Sequence, residues 1–188
     1  MSASVWEELG MRHRWVIAVV VVAVAGLGVA AAVLQPWLLL VNVEVADELP
    51  AVAERASPEP APVASSLPPA PSGPVELGSG TLISHEHETT GTVRIIENVD
   101  GSRVLTLEGL ATSSGPDVHV WLSAAPVVEG VDGWFLAGGQ PFVDLGPIKG
   151  NLGDQVYEIP ADVDLAQYPS VYLWCVQFSV SFGAAAIA

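Results

Sequence analysis

Residues 15 to 34 read WVIAVVVVAVAGLGVAAAVL, and no charged residue occurs from Trp15 through Val43. In helical form such a run is about 30 Å long, the hydrocarbon thickness of a bilayer. A helix apolar on every side must be buried in a large domain or in lipid. A chain of 188 residues that is otherwise strongly acidic lacks such a domain. The run therefore predicts a membrane anchor over residues 15–40, with Trp15 and Trp37 at the two headgroup levels.

Arg12 and Arg14 precede the run, and no Lys or Arg follows it until Arg55. The positive-inside rule then keeps residues 1–14 in the cytoplasm and exports the rest. A cleaved signal peptide is the alternative, cut near Ala30-Ala31-Ala32, but its apolar region would span only about 7–15 residues. The run is longer, which favours a retained single-pass anchor. Both readings place the remaining chain outside the cytoplasm.

Pro50, Pro58, Pro60, Pro62, Pro68, Pro69, Pro71 and Pro74 punctuate the next stretch, among Ala, Ser and Glu. Proline lacks the N–H that helices and ladders need, so residues 41–77 read as an extended linker or stalk. From residue 78 the texture changes. Short β-rich runs alternate with turn signals: Gly80 to Ser84, Gly91 to Val99, Arg103 to Leu107, Asp117 to Ser123, Phe142 to Leu145, Gln155 to Ile159 and Ser170 to Phe182. Asp100-Gly101 marks a hairpin. No segment here carries a 3.6-residue apolar period. The spacing predicts an all-β, sandwich-like domain over residues 78–188.

From residue 75 onward 14 acidic residues face three basic ones, Arg94, Arg103 and Lys149, a net charge of −11. Nucleic-acid binding depends on Lys and Arg neutralising phosphates, so that class is excluded. The field favours cations or a basic partner. The chain has one cysteine, which rules out an intrachain disulfide framework, a zinc ribbon and a covalent haem attachment.

That cysteine, Cys175, is the sharpest chemical feature. In an extended strand it shares a face with Leu173 and Gln177, with Trp174 and Val176 opposite. A free cysteine is often simply a small core hydrophobe. A lone exported thiol is also a candidate redox residue or metal ligand. His85 and His87 form an i, i+2 pair that can chelate a metal in a strand, or a solvated strand end. His119 shares its face with Asp117 and Trp121. His119, His85 and Cys175 are thus the candidate metal ligands. An ordinary blue-copper site is disfavoured, because no histidine follows Cys175 and the domain contains no methionine. The residues leave haem or copper open as cofactor. A sortase-type transpeptidase also pairs a histidine with a later cysteine. It needs a cation after the cysteine, and no basic residue follows Lys149. The glycine-rich stretches Gly133 to Gly139 and Gly146 to Gly153 read as loops. The first is either an exposed contact loop or one that tucks its apolar residues under the sandwich.

The order of several short motifs resembles the DM thirteen family of electron-transfer domains. The pieces are Gly80-Thr81-Leu82 with His85; Gly115-Pro116-Asp117-Val118-His119-Val120-Trp121; Val143-Asp144-Leu145-Gly146-Pro147-Ile148-Lys149-Gly150; Gly153-Asp154-Gln155-Val156-Tyr157; and Ser170-Val171-Tyr172-Leu173-Trp174-Cys175 with Phe182-Gly183-Ala184. The resemblance implies a β-sandwich-like domain and a redox role for Cys175. It also implies a second protein as redox partner, because one thiol cannot cycle through an intramolecular disulfide. The sequence thus points to a membrane-anchored extracytoplasmic domain with an electron-transfer role centred on Cys175. The alternative is a non-catalytic cell-envelope binding module whose cysteine belongs to the core.

Overall fold

The computed structural model describes residues 3–52 and 73–188. The central part of the proline-rich stalk, residues 53–72, lies outside them. The chain divides after Leu38 into two units.

The first unit is helix α1, Ala3–Leu34. Its segment His13–Leu34 contains an 18-residue stretch with a mean hydropathy of 2.9 and is long and apolar enough to cross a membrane. The helix starts well before Trp15, because residues 3–14 contain no proline. It stops at Leu34, where Gln35 takes φ 44° ahead of Pro36. A residue preceding proline is disfavoured in the α region, and a positive φ breaks the helical ladder. The rest of the segment expected as anchor, Pro36–Leu40, is a 3-10 turn.

The second unit is all-β. Its strands are β1 (Glu44–Ala46), β2 (Val75–Thr81), β3 (Ile83–Ser84), β4 (Thr90–Glu97), β5 (Arg103–Ala111), β6 (Val118–Ser123), β7 (Phe142–Pro147), β8 (Leu152–Ile159), β9 (Ser170–Cys175) and β10 (Val180–Ala186). They form two five-stranded sheets, β1-β8-β5-β4-β2 and β3-β10-β9-β6-β7. All described pairings are antiparallel except β1 on β8.

Period-two alternation builds the core between the sheets. The first sheet contributes Val93, Ile95, Leu105, Leu107, Tyr157 and Ile159. The second contributes Val118, Val120, Leu122, Val171, Leu173 and Cys175. A second apolar cluster lies on the outer face of the second sheet, where Trp121, Tyr172, Trp174 and Ala184 are covered by Ala125 and Ala137 of the β6–β7 connection. Strand β9 is therefore buried on both faces along all six residues. This is why its sequence is apolar throughout instead of alternating.

Two predicted strands divide. The run Ser170 to Phe182 is a hairpin, with Val176 to Ser179 turning between β9 and β10 and Ser179 at φ 53°. Gln177 lies in that turn and not on the Cys175 face. The run Gly80 to Ser84 splits at buried Leu82 into β2 and β3, which belong to different sheets.

The linker expected over 41–77 begins with ordered structure, because Glu44–Ala46 pairs with β8. Gly150 and Gly153 make this approach feasible. A Cβ on Gly150 would lie 2.4 Å from the Val43 carbonyl oxygen, and one on Gly153 2.0 Å from that of Val45. Behind this edge, Gln155 is fully enclosed. Its Oε1 accepts from the Lys149 N–H and the Tyr157 hydroxyl, and its Nε2 donates to the Gly150 carbonyl. These bonds satisfy a buried amide and pin the β7–β8 connection.

Candidate redox site

Cys175 ends β9. Across the sheet it faces Val118 of β6 on one side and Val180 of β10 on the other. Its side chain is wholly enclosed among core residues of both sheets. Burial pushes the thiol pKa up. Hydrogen bonding from the backbone of Phe178, Asp117 and Gln177 pulls it down by less, and the Asp117 carboxylate adds to the rise. At neutral pH the protonated thiol is thus the favoured form. The chain folds tightly around this end of the sandwich. The Val176 N–H donates to the Asp117 carbonyl at 2.8 Å. A Cβ on Gly115 would sit 2.7 Å from both the Phe182 ring and the Val118 side chain.

His119 and His85 lie on the other face of the same sheet. His119 is the Cα partner of Trp174, whose side chain points away from that of Cys175. Its Nδ1 is 2.8 Å from Asp144 Oδ2, and its Nε2 is 3.0 Å from Asp117 Oδ1. Partial burial pushes its pKa down. The Asp144 and Asp117 carboxylates push harder the other way, so the ring ends above its ordinary value.

His85 is buried beneath the β6–β7 connection, with Tyr172 nearby at 5.8 Å between ring centroids. Its Nε2 lies 3.1 Å from the Val128 carbonyl and its Nδ1 2.8 Å from the Ser181 hydroxyl. In the neutral ring Nε2–H donates to the carbonyl and Nδ1 accepts from the hydroxyl. Burial lowers its pKa, partly offset by the carbonyl bond. His87 parts from His85 and pairs with Glu86, its ring 3.9 Å from that of Phe182.

The structure thus does not bring His119, His85 and Cys175 together. Two imidazoles sit outside the sheet and the sulfur sits inside it. Both ring nitrogens of each imidazole are also engaged within the protein. Among the described residues no group of three His, Cys, Asp or Glu side chains is arranged to hold a metal.

Sequence reasoning missed the aromatic pile beside Cys175. On the outer face the Trp121 ring stacks on Phe142 at 3.7 Å and 8°, and on Trp174 at 5.1 Å and 23°. The signal was present in the i, i+2 positions of β6 and β7, where Trp121, Phe142 and Asp144 share a face. The loop Gly133 to Gly139 is part enclosed and part exposed. Ala137 is enclosed against the sheet, and Phe135 is 57% exposed.

Comparison with known proteins matches residues 81–187 to the family described as electron transfer DM13. No curated protein and no solved structure matches the chain. The match covers more than half of the chain, including every strand from β3 to β10, and the protein belongs to the electron transfer DM13 family.

Proposed function

We propose that this protein is a membrane-anchored, extracytoplasmic electron-transfer domain in which Cys175 is the redox residue and a second protein supplies or removes the electron. Membership of the electron-transfer family over residues 81–187 is the observation that carries this reading. The anchor is α1, whose apolar segment is the only helix of spanning length among the described residues. Arg12 and Arg14 on its N-terminal side favour a cytoplasmic N-terminus.

The geometry limits the mechanism. An enclosed, protonated thiol cannot attack a partner's disulfide, so thiol–disulfide exchange would first require the Val176–Ser179 turn to open. Direct loss of one electron leaves a thiyl radical and also releases the thiol proton, which must reach water past the same turn. Trp174 is covalently next to Cys175, and its ring reaches the outer aromatic pile.

The test is film voltammetry on the full-length protein in non-ionic detergent, beside Cys175→Ala. The reading expects a reversible couple that the substitution abolishes while the fold is retained. The same voltammogram for both proteins overturns the role of Cys175.

A second reading is favoured by one observation: Cys175 is fully enclosed, and neither His85 nor His119 lies on its face of the sheet. Under it the domain is a cell-envelope binding module and the sulfur only fills space. An unchanged voltammogram would select this reading.

A further inference from the structure

The domain's charges are segregated. Arg94 and Arg103 lie on β4 and β5 of the first sheet, and Lys149 lies in the β7–β8 connection, paired with Asp47. The stretches that build most of the second sheet and its cover, residues 115–147 and 170–188, contain Asp117, Glu129, Asp132 and Asp144 but no Lys or Arg. On the outer face of this sheet lies an open groove of about 440 Å³, lined by Trp121, Phe135, Gly138, Phe142, Trp174 and Val176. Its floor is the two stacked indoles, and its walls are exposed: Phe135 57%, Phe142 43% and Val176 41%. Asp144 is the Cα partner of Trp121, so its carboxylate rises from the same face beside the stack.

Exposed aromatic rings in a field of one sign have a specific use. A ring face is the negative end of a quadrupole and attracts a cation, most of all one that is weakly hydrated. No Lys or Arg lies on this part of the surface, and the one imidazole with a raised pKa there, His119, is held between the Asp117 and Asp144 carboxylates, so the local field stays negative. Apolar walls favour a ligand with hydrocarbon bulk, and the volume is that of a small-molecule site. We propose that this groove binds a small organic cation, an aryl or alkyl ammonium whose charge lies over the exposed face of the Phe142 ring. This site is separate from Cys175, which lies on the opposite face of the sheet, and it does not depend on the redox reading.

The experiment is titration calorimetry of the full-length protein in a maltoside detergent with three probes: phenyltrimethylammonium, benzyl alcohol and benzenesulfonate. Saturable binding is expected for the cation alone, and it should weaken as salt screens the field. Phe142→Ala removes one ring face and should weaken it about fivefold, equivalent to a cation–π contribution of about 1 kcal/mol. Val176→Lys sets an ammonium in the groove and should abolish binding, whereas Val176→Gln at the same exposed position should retain it. Cys175→Ser should bind as the parent does. Failure of the redox reading would therefore leave this result standing, and the converse also holds. Equal binding of the neutral or anionic probe, undiminished binding by Val176→Lys, or no binding of the cation overturns the proposal.

Discussion

Cys175 stands directly across from Val118 on the neighbouring strand, with both side chains turned into the core between the sheets. The sulfur thus occupies a space that any replacement must fill. Cys175→Ala should cost about 1–2 kcal/mol by leaving a small cavity. Cys175→Ser should cost more, because it places a hydroxyl among apolar neighbours. Thermal unfolding of both variants checks this order. If the serine variant proved as stable as the parent, water must reach this position and the enclosure described above would not hold in solution.

The two engaged histidines should give the domain opposing pH dependences. His119 has its pKa raised above 6.5 in the folded state, so its contribution is complete below 6.5 and is lost as pH rises through the folded value. His85 has its pKa lowered, so its contribution is complete above 6.5 and is lost as pH falls towards the folded value. Asp144→Asn should flatten the high-pH loss, and His85→Gln the low-pH loss. Histidine titration by NMR, followed with unfolding midpoints across pH 5–8, would check both (a range centred on the ordinary imidazole value). A His119 resonance titrating below 6.5 would contradict the first assignment.

Gly115 seals the end of the sandwich nearest Cys175. A methyl group there meets the Phe182 ring and Val118 at 2.7 Å, and both are buried with little room to yield. Gly115→Ala should therefore destabilise by about 1–3 kcal/mol through overpacking. Gly101→Ala is the control. Its Cβ meets nothing within 4 Å, and only the strain of φ +82° opposes it, costing about 1 kcal/mol. A cost at Gly115 no larger than at Gly101 would show that the Phe182 ring and Val118 yield to the added methyl group.

Much of the fold was legible because strand alternation is a local signal. Val118, Val120 and Leu122 face the core as their spacing predicts, and Asp100-Gly101 turns as its dipeptide predicts, with Asp100 Oδ1 accepting from the Ser102 N–H at 2.9 Å. The β9–β10 turn was not legible. Val176-Gln177-Phe178-Ser179 contains no glycine, proline or asparagine, and the left-handed conformation falls on a serine. The opposite placement of His119 and Cys175 was equally hidden. Alternation assigns each residue a face of its own strand, but only pairing in the folded sheet sets which faces of β6 and β9 coincide. The partnership of His119 with Asp144 likewise rests on β6–β7 register, 25 residues apart.

Residues 42–47 offer the last test, because they lie where the sequence suggested only linker. Asn151 is buried, and it accepts from the Val43 N–H at 2.7 Å. Its Nδ2 donates to Asn42 Oδ1 at 3.0 Å and to the Thr112 carbonyl at 2.9 Å. One side chain thus joins the segment entering the domain to the end of β5. Asn151→Ala leaves the Val43 N–H and the Thr112 carbonyl without these partners, and should cost about 1–3 kcal/mol. The loss should be local as well as global. Strand β1 has only three residues on β8, and without Asn151 it should fray first, exposing the β8 edge. Asp47→Asn weakens the pairing with Lys149 but keeps an oxygen that can accept from the Val156 N–H, and should leave β1 in place. Hydrogen exchange at residues 43–47 separates the two: fast in Asn151→Ala, near the parent in Asp47→Asn. Slow exchange in both variants would mean that the glycine-permitted backbone pairing of β1 with Gly153 suffices to hold the segment. Asn151 would then serve only the β5–β8 connection.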